Sequence, residues 1–153
     1  MARPPGPPPS LKGRALRHLA GREHSRAELE RKLRPHEQTP GELARVLDEL
    51  TAKGFISEER VVQSLVHRRA SRLGAARLRQ ELAAKGVAPE AIAGALAELA
   101  PTELARAREV WQRRFDAPPA DARERAKQAR FLMARGFGGE TVRKVLAGGG
   151  DTD

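Results

Sequence analysis

Apolar residues recur along this chain every three to four positions, the spacing that lines one face of an α-helix. No stretch alternates apolar and polar residues as a half-buried strand would. Val61, Val62, Leu65 and Val66 form one stripe, leaving Arg60, Ser64, His67 and Arg68 on the other face. Leu104, Ala107, Trp111 and Phe115 form a second, with Glu109 spaced to pair with Arg113 one turn on. Punctuation divides the pattern. Ser25-Arg-Ala-Glu28 and Thr39-Pro-Gly-Glu42 have the spacing of a capping box, with Pro40 at the first helical position. Ser57-Glu58-Glu59, Pro89-Glu90, Thr102-Glu103 and Asp121 to Glu124 put acids where a helix dipole favours them. Gly21, Gly54, Gly86 and Gly136 each follow a periodic stretch, and Pro118-Pro119 forbids continuation. The predicted helices are 11–20, 25–34 and 40–53, then 57–71, 74–85 and 89–100, then 102–116, 121–135 and 139–147.

These nine segments are three copies of one unit. Leu82 to Leu96 aligns without a gap on Leu132 to Leu146, pairing Gly86 with Gly136, Val87 with Phe137 and Ile92 with Val142. Leu33 opens a third copy, with Leu43 and Leu47 at the same offsets and Pro40 where the second has Pro89. Where Gly86 and Gly136 turn the later copies, the first has His36 and Glu37, so that corner must turn differently. A period of this kind predicts an all-α tandem array of three three-helix repeats, elongated, with an extended surface for gripping something long. The expected divisions are a disordered Pro-rich tail over 1–10, repeats over 11–54, 55–100 and 101–147, and a flexible tail over 148–153.

Composition narrows the function. Apolar residues are 39% of the 153 and aromatics 3%, with no Tyr, so Leu and Ala must do most of the packing. The absence of Cys excludes disulfides, thiolate chemistry and Cys-based zinc sites. The N-terminus has no apolar core of a secretory signal, and no run reaches the roughly 18 apolar residues of a membrane span. A cytoplasmic protein is expected. His18, His24, His36 and His67 lack metal-ligand spacing, and there is no phosphate-binding glycine loop before a helix. The carboxylates sit at helix starts or opposite Arg. No enzyme activity and no cofactor are expected.

What remains is positive charge, +9 overall with a pI near 11.1, which suits a polyanion or an acidic protein surface. Residues 60–79 hold Arg60, Arg68, Arg69, Arg72, Arg77 and Arg79 without one acid. Residues 106–135 hold Arg106, Arg108, Arg113, Arg114, Arg123, Arg125, Lys127, Arg130 and Arg135 against four acids. On helices such runs align to meet phosphates or acidic side chains. The expected contact residues are Arg60, Arg68, Arg69, Arg72, Arg77, Arg79, Arg113, Arg114 and Arg130. With aromatics so rare, base stacking is a poor expectation and backbone or protein contact a better one.

Four segments in order resemble a known family. Arg22-Glu-His-Ser-Arg-Ala-Glu-Leu-Glu-Arg-Lys-Leu33 is similar to the opening signature of the RecX family, bacterial regulators of the RecA recombinase. Leu50-Thr-Ala-Lys-Gly-Phe-Ile-Ser-Glu-Glu-Arg60 resembles its segment with an acidic pair at a helix start. Arg77 to Val87 and Arg130 to Phe137 resemble its second and third signatures. Ser57-Glu58 stands where the family often has Asp-Asp, and Ser71-Arg-Leu-Gly74 where it has Arg-Gly-x-Gly. The resemblance implies a curved array of three-helix repeats lying in the groove of the RecA filament on single-stranded DNA. It implies suppression of ATP hydrolysis, coprotease activity and strand exchange, by capping growth or promoting disassembly, and hence a part in DNA repair, recombination and the SOS response. The expected partners are the RecA filament and the single-stranded DNA in or near it, with the protein a monomer. The competing expectation is a helix-turn-helix-like module on double-stranded DNA, because short capped helices joined near Gly recur.

Overall fold

The structure, a computed structural model, describes residue 3 and residues 6–148. The tails expected over 1–10 and 148–153 lie partly outside these. Residues 6–9 have no regular secondary structure, and Ser10 accepts from the Gly13 amide at 3.0 Å to cap the first helix. Among the described residues there are nine α-helices and no strand: α1 Leu11–Gly21, α2 Arg26–Leu33, α3 Glu42–Ala52, α4 Glu58–Arg69, α5 Ala75–Ala84, α6 Pro89–Leu99, α7 Glu103–Arg114, α8 Ala122–Ala134 and α9 Gly139–Leu146. Short 3-10 turns follow α2 at Arg34–His36 and α6 at Ala100–Thr102. The fold is thus all-α, three helices three times over. The chain divides into two compact units, one up to Val61 and one from Val62 on.

In the first unit Leu11, Ala15, Leu29, Leu33, Leu43, Leu47, Leu50 and Ile56 form one buried cluster, with Leu16, Leu19 and Val46 against it. The Ser25–Glu28 capping box forms reciprocally, hydroxyl to amide and carboxylate to amide, each at 3.1 Å. The one expected at Thr39–Glu42 does not. Pro40 and Gly41 are instead the central residues of a turn in which the Glu42 amide donates to the Thr39 carbonyl at 3.1 Å. Gly41 has φ +88 and ψ −10, so Pro-Gly adopts the type II geometry it is suited to, and α3 starts at Glu42 rather than at Pro40. Glu37 supplies the missing cap by accepting from the Leu43 amide at 2.9 Å. Gly21 also departs from its expected part. It is the last residue of α1, and the extended Arg22 ends the helix.

The second unit shows the repeat most clearly. Leu82, Val87, Ile92 and Leu96 are buried, and so are their counterparts Leu132, Phe137, Val142 and Leu146. Both corners end in the same closure. The Gly86 and Gly136 amides donate to Ala83 and Met133, and the Val87 and Phe137 amides to Leu82 and Leu132. The glycines have φ +80 and +92, the left-handed geometry such a closure needs. Ala107, Val110, Leu132, Phe137, Val142, Val145 and Leu146 form the core of the last repeat, with Leu104, Trp111, Ala129 and Phe131 packed on it.

The last two repeats are joined through helix ends. The Gly74 amide donates to the Arg135 carbonyl at 2.8 Å and the Ala76 amide to the Gly136 carbonyl at 3.1 Å. The Glu103 carboxylate accepts from the Ala75 amide at 3.2 Å. Amides at the start of α5 therefore find partners in another repeat, where Ser25 serves α2 from its own. One turn along α7, Arg106 donates to the Ala70 and Leu73 carbonyls just beyond α4, at 2.8 and 2.6 Å. An acid meets the positive end of one helix and a cation the negative end of the other.

Candidate polyanion-binding surface

The expected contact arginines separate into two groups. Arg60 donates to Glu23 at 2.9 Å and to the Gly54 carbonyl at 2.6 Å. Arg69 makes a two-pronged pair with Glu81, both bonds 3.0 Å, which holds its guanidinium proton more tightly than usual. Arg77 donates to the Ala134 carbonyl at 3.2 Å and lies 3.8 Å from Glu81. These three are engaged by groups of the fold, although Arg60 is exposed as well. The run 60–79 is free of acids in sequence, yet Glu23 and Glu81 reach it in space.

The rest face water. Arg68 is exposed and, among the described residues, donates only to the Ser64 carbonyl of its own helix. Arg72, Arg79, Arg113 and Arg130 are exposed and enter no ion pair among the described residues. The expected Glu109–Arg113 pair does not form. Both residues are exposed on α7, where water competes and such a pair is worth little. Arg114 lies over Phe115 and Phe131, 5.3 and 5.9 Å from the ring centroids, and Arg135 lies 5.0 Å over Phe131. Phe115 and Phe131 meet edge to face at 5.3 Å. Cations held on aromatic faces keep their charge and lose freedom.

The surface extends beyond the nine expected residues. Arg123, Lys127 and Arg130 stand at i, i+4 and i+7 on α8, exposed and in no ion pair among the described residues. Arg125 is exposed in the same first turn. The one acid of α8, Glu124, is turned away to accept from Gln128 at 3.2 Å. Charge density in the sequence marked this segment, but only the hydrogen bonding of Glu124 explains why its cations are left bare. The first unit differs. There Lys12 and Lys53 share Glu49, Arg22 meets Glu28, Arg26 meets Glu30 and Asp48, and Arg34 meets Glu37.

Arg106, in the same basic run, is a structural residue. Burial dominates its surroundings and makes its guanidinium less basic than usual, with Glu103 opposing. Its four neighbours Ala70, Leu73, Thr102 and Glu103 leave it no part in the outer surface. Among the described residues no three His, Asp or Glu side chains group as a metal site, and no helix is long and apolar enough to cross a membrane.

A basic, largely unneutralised helical face on repeated three-helix units has close relatives. Residues 12–50, 57–96 and 102–146 match, in order, the family models described as the first, second and third three-helix domains of RecX. The chain is 62% identical over 137 residues to the "Regulatory protein RecX" of Leptothrix cholodnii, covering 90% of this chain and 87% of that one. It is 50% identical over 144 residues to the protein of the same name from Ralstonia nicotianae, covering 94% and 91%. Two solved structures share the fold: "Crystal structure of regulatory protein RecX", at TM-score 0.76 and 19% identity over 90% of this chain and 71% of that one, and "Crystal structure of RecX from Lactobacillus salivarius", at TM-score 0.74 and 18% identity over 90% and 92%. Three domains in the family's order, carried by a sequence this close to its named members, place the chain in the RecX family of regulatory proteins.

Proposed function

We propose that this protein binds the RecA recombinase filament on single-stranded DNA and inhibits its ATP hydrolysis, coprotease activity and strand exchange, acting on DNA repair, recombination and the SOS response. The observation that supports this reading is the α7–α8 surface, where Arg113, Arg114, Arg123, Lys127 and Arg130 are exposed and enter no ion pair among the described residues. Such a surface suits phosphates or the acidic side chains of a nucleoprotein groove. No chemistry of its own is needed. A binder shifts an assembly by differential affinity, so contact with neighbouring subunits suffices to block or release filament ends. The protein acts as a cytoplasmic monomer in this reading.

The test is to add the protein, below stoichiometric amounts, to preformed RecA filaments and follow nucleotide turnover. Falling turnover is expected, and the triple variant Arg123→Glu, Lys127→Glu, Arg130→Glu should inhibit far less while circular dichroism stays helical. Undiminished inhibition by that variant would move the contact surface elsewhere. Tight, sequence-selective binding to duplex DNA, with filaments unaffected, would favour the helix-turn-helix reading instead.

A further inference from the structure

The last repeat departs from the other two at one core position. Counting back one turn from Leu33, Leu82 and Leu132 gives Leu29, Leu78 and Gln128. All three are buried, with Gln128 only 2% exposed. An amide at a site that two sister repeats fill with Leu does not serve packing alone. Burying it is costly unless its donors and acceptor are satisfied.

They are satisfied, and by partners that share one purpose. The Gln128 carbonyl oxygen accepts from the Trp111 indole N–H at 2.8 Å. Its amide donates to the Ala117 carbonyl and to the Glu124 carboxylate, both at 3.2 Å. The Glu124 amide is in turn capped by Asp121 at 2.8 Å. One side chain thus ties α7, the loop over 115–121 and the first turn of α8. That turn is itself a departure. Aligned on Leu33, Leu82 and Leu132, α8 begins a full turn earlier than α2 and α5. The added residues, 122–124, carry Arg123, and Arg125 follows them directly. Gln128 also explains why their neighbour Glu124 does not neutralise them.

We propose that Gln128 is a positioning residue: its amide holds the loop over 115–121 and the added first turn of α8, keeps Glu124 turned inward, and so presents Arg123 in line with Lys127 and Arg130 to a phosphate backbone. The inference rests on the reading of α8 as a polyanion-contacting face. It adds that this face is set by a polar substitution in the core of the third repeat, and that the other two repeats lack the device.

The discriminating substitution is Gln128→Leu, which restores the residue of the sister repeats. Binding of a fluorescent oligothymidylate is measured across a salt series, beside circular dichroism and thermal melting. A single-strand binder loses about 0.7 from its log–log salt slope for each phosphate contact removed. Gln128→Leu is expected to stay folded, weaken binding and make the slope shallower by about 0.7 to 1.4, one or two such contacts. Trp111→Phe, which keeps the ring and removes the indole donor, should move the slope the same way and decides the matter if Gln128→Leu proves unstable. Arg123→Glu in the native background separates the role of the α8 face from the role of Gln128. If it leaves affinity and slope untouched, the α8 face is not a polyanion site and the proposal falls with that reading. If it weakens binding while Gln128→Leu and Trp111→Phe keep the native slope, the face stands and the positioning role of Gln128 is wrong.

Discussion

The amide of Gly74 donates to the carbonyl of Arg135 at 2.8 Å, and the two backbones meet with no room for a side chain between them. A Cβ on Gly74 would stand 2.5 Å from the Gly136 carbonyl, and one on Gly136 would stand 2.5 Å from the Arg77 nitrogen. Gly136 also has φ +92.

Gly136→Ala is therefore expected to destabilise the second unit by about 1–3 kcal/mol, from overpacking against backbone that cannot yield. Its urea midpoint should fall at unchanged slope. Gly94→Ala is the contrast. Gly94 lies within α6 with nothing within 4 Å of its would-be Cβ, so the change should stabilise by about 0.5–1 kcal/mol. Equal responses from the two variants would refute the close contact.

Arg106 bonds two carbonyls that have followed α4 into a half-buried loop. Arg106→Gln leaves them short of a partner and should cost about 1.5–3 kcal/mol, the range for hydrogen bonds to charged groups. Lys should rescue only in part, since its compact ammonium lacks the guanidinium's fork. Full rescue by Lys in denaturant titrations would mean that charge, not fork geometry, holds the loop.

Acid should loosen the first unit. His24 is 2% exposed, with Nδ1 3.0 Å from the Arg22 carbonyl and Nε2 2.8 Å from Lys32 Nζ. Burial foremost, then the Arg22 and Lys32 charges, hold it below its ordinary 6.5, against the Arg22 carbonyl bond and the Glu28 charge. His18, its ring 5.4 Å away, is lowered in the same direction by burial and by Lys32, Arg22 and Arg17. The unfolded chain thus binds protons that the fold refuses. Stability is complete above 6.5 and drains away as pH falls below it. Unfolding titrations between pH 8 and 5 (roughly the histidine range) should show this slope, and His24→Gln should flatten most of it. A native protein with no slope there would contradict the neutral, lysine-accepting imidazole.

Glu49 predicts a smaller effect at lower pH. Its bonds to Lys12 at 2.7 Å and Lys53 at 2.9 Å bring it down to about 2. Any stability it adds is present above its ordinary 4.5 and is lost as pH falls toward about 2. Because the site is exposed, Glu49→Gln should change acid unfolding slightly at low salt and not at all at high salt. An effect that survives high salt would mark the pair as more than surface charge.

Much of this fold is legible in the chain because each repeat carries its own punctuation. Gly86 and Gly136 end helices in left-handed geometry, and the buried counterparts from Leu33 to Leu146 recur at fixed offsets. Thr39 misled because Pro-Gly prefers a type II turn to a helix start. The site was harder to read. Arg60, Arg69 and Arg77 lie in an acid-free run, but Glu23 and Glu81 come to them only through folding. Conversely, Glu124 sits among the α8 cations in sequence and is withdrawn from them by Gln128. Counting charges along a chain weights neighbours in sequence, whereas neutralisation depends on neighbours in space.

Gln128 stands out as an oddity only against Leu29 and Leu78 at the same offset in the other repeats. The cap of α5 was visible nowhere. Its Gly74 offers no side-chain oxygen, and the partners that replace one come from Glu103, Arg135 and Gly136, far along the chain.

Because α5 borrows its opening from the Arg135–Gly136 corner, the second repeat is unfinished until the third has been made. A ribosome releasing the chain N-terminus first would expose three naked amides at Gly74, Ala75 and Ala76 until those late carbonyls and the Glu103 carboxylate arrive. Loss of the third repeat would strand the same groups.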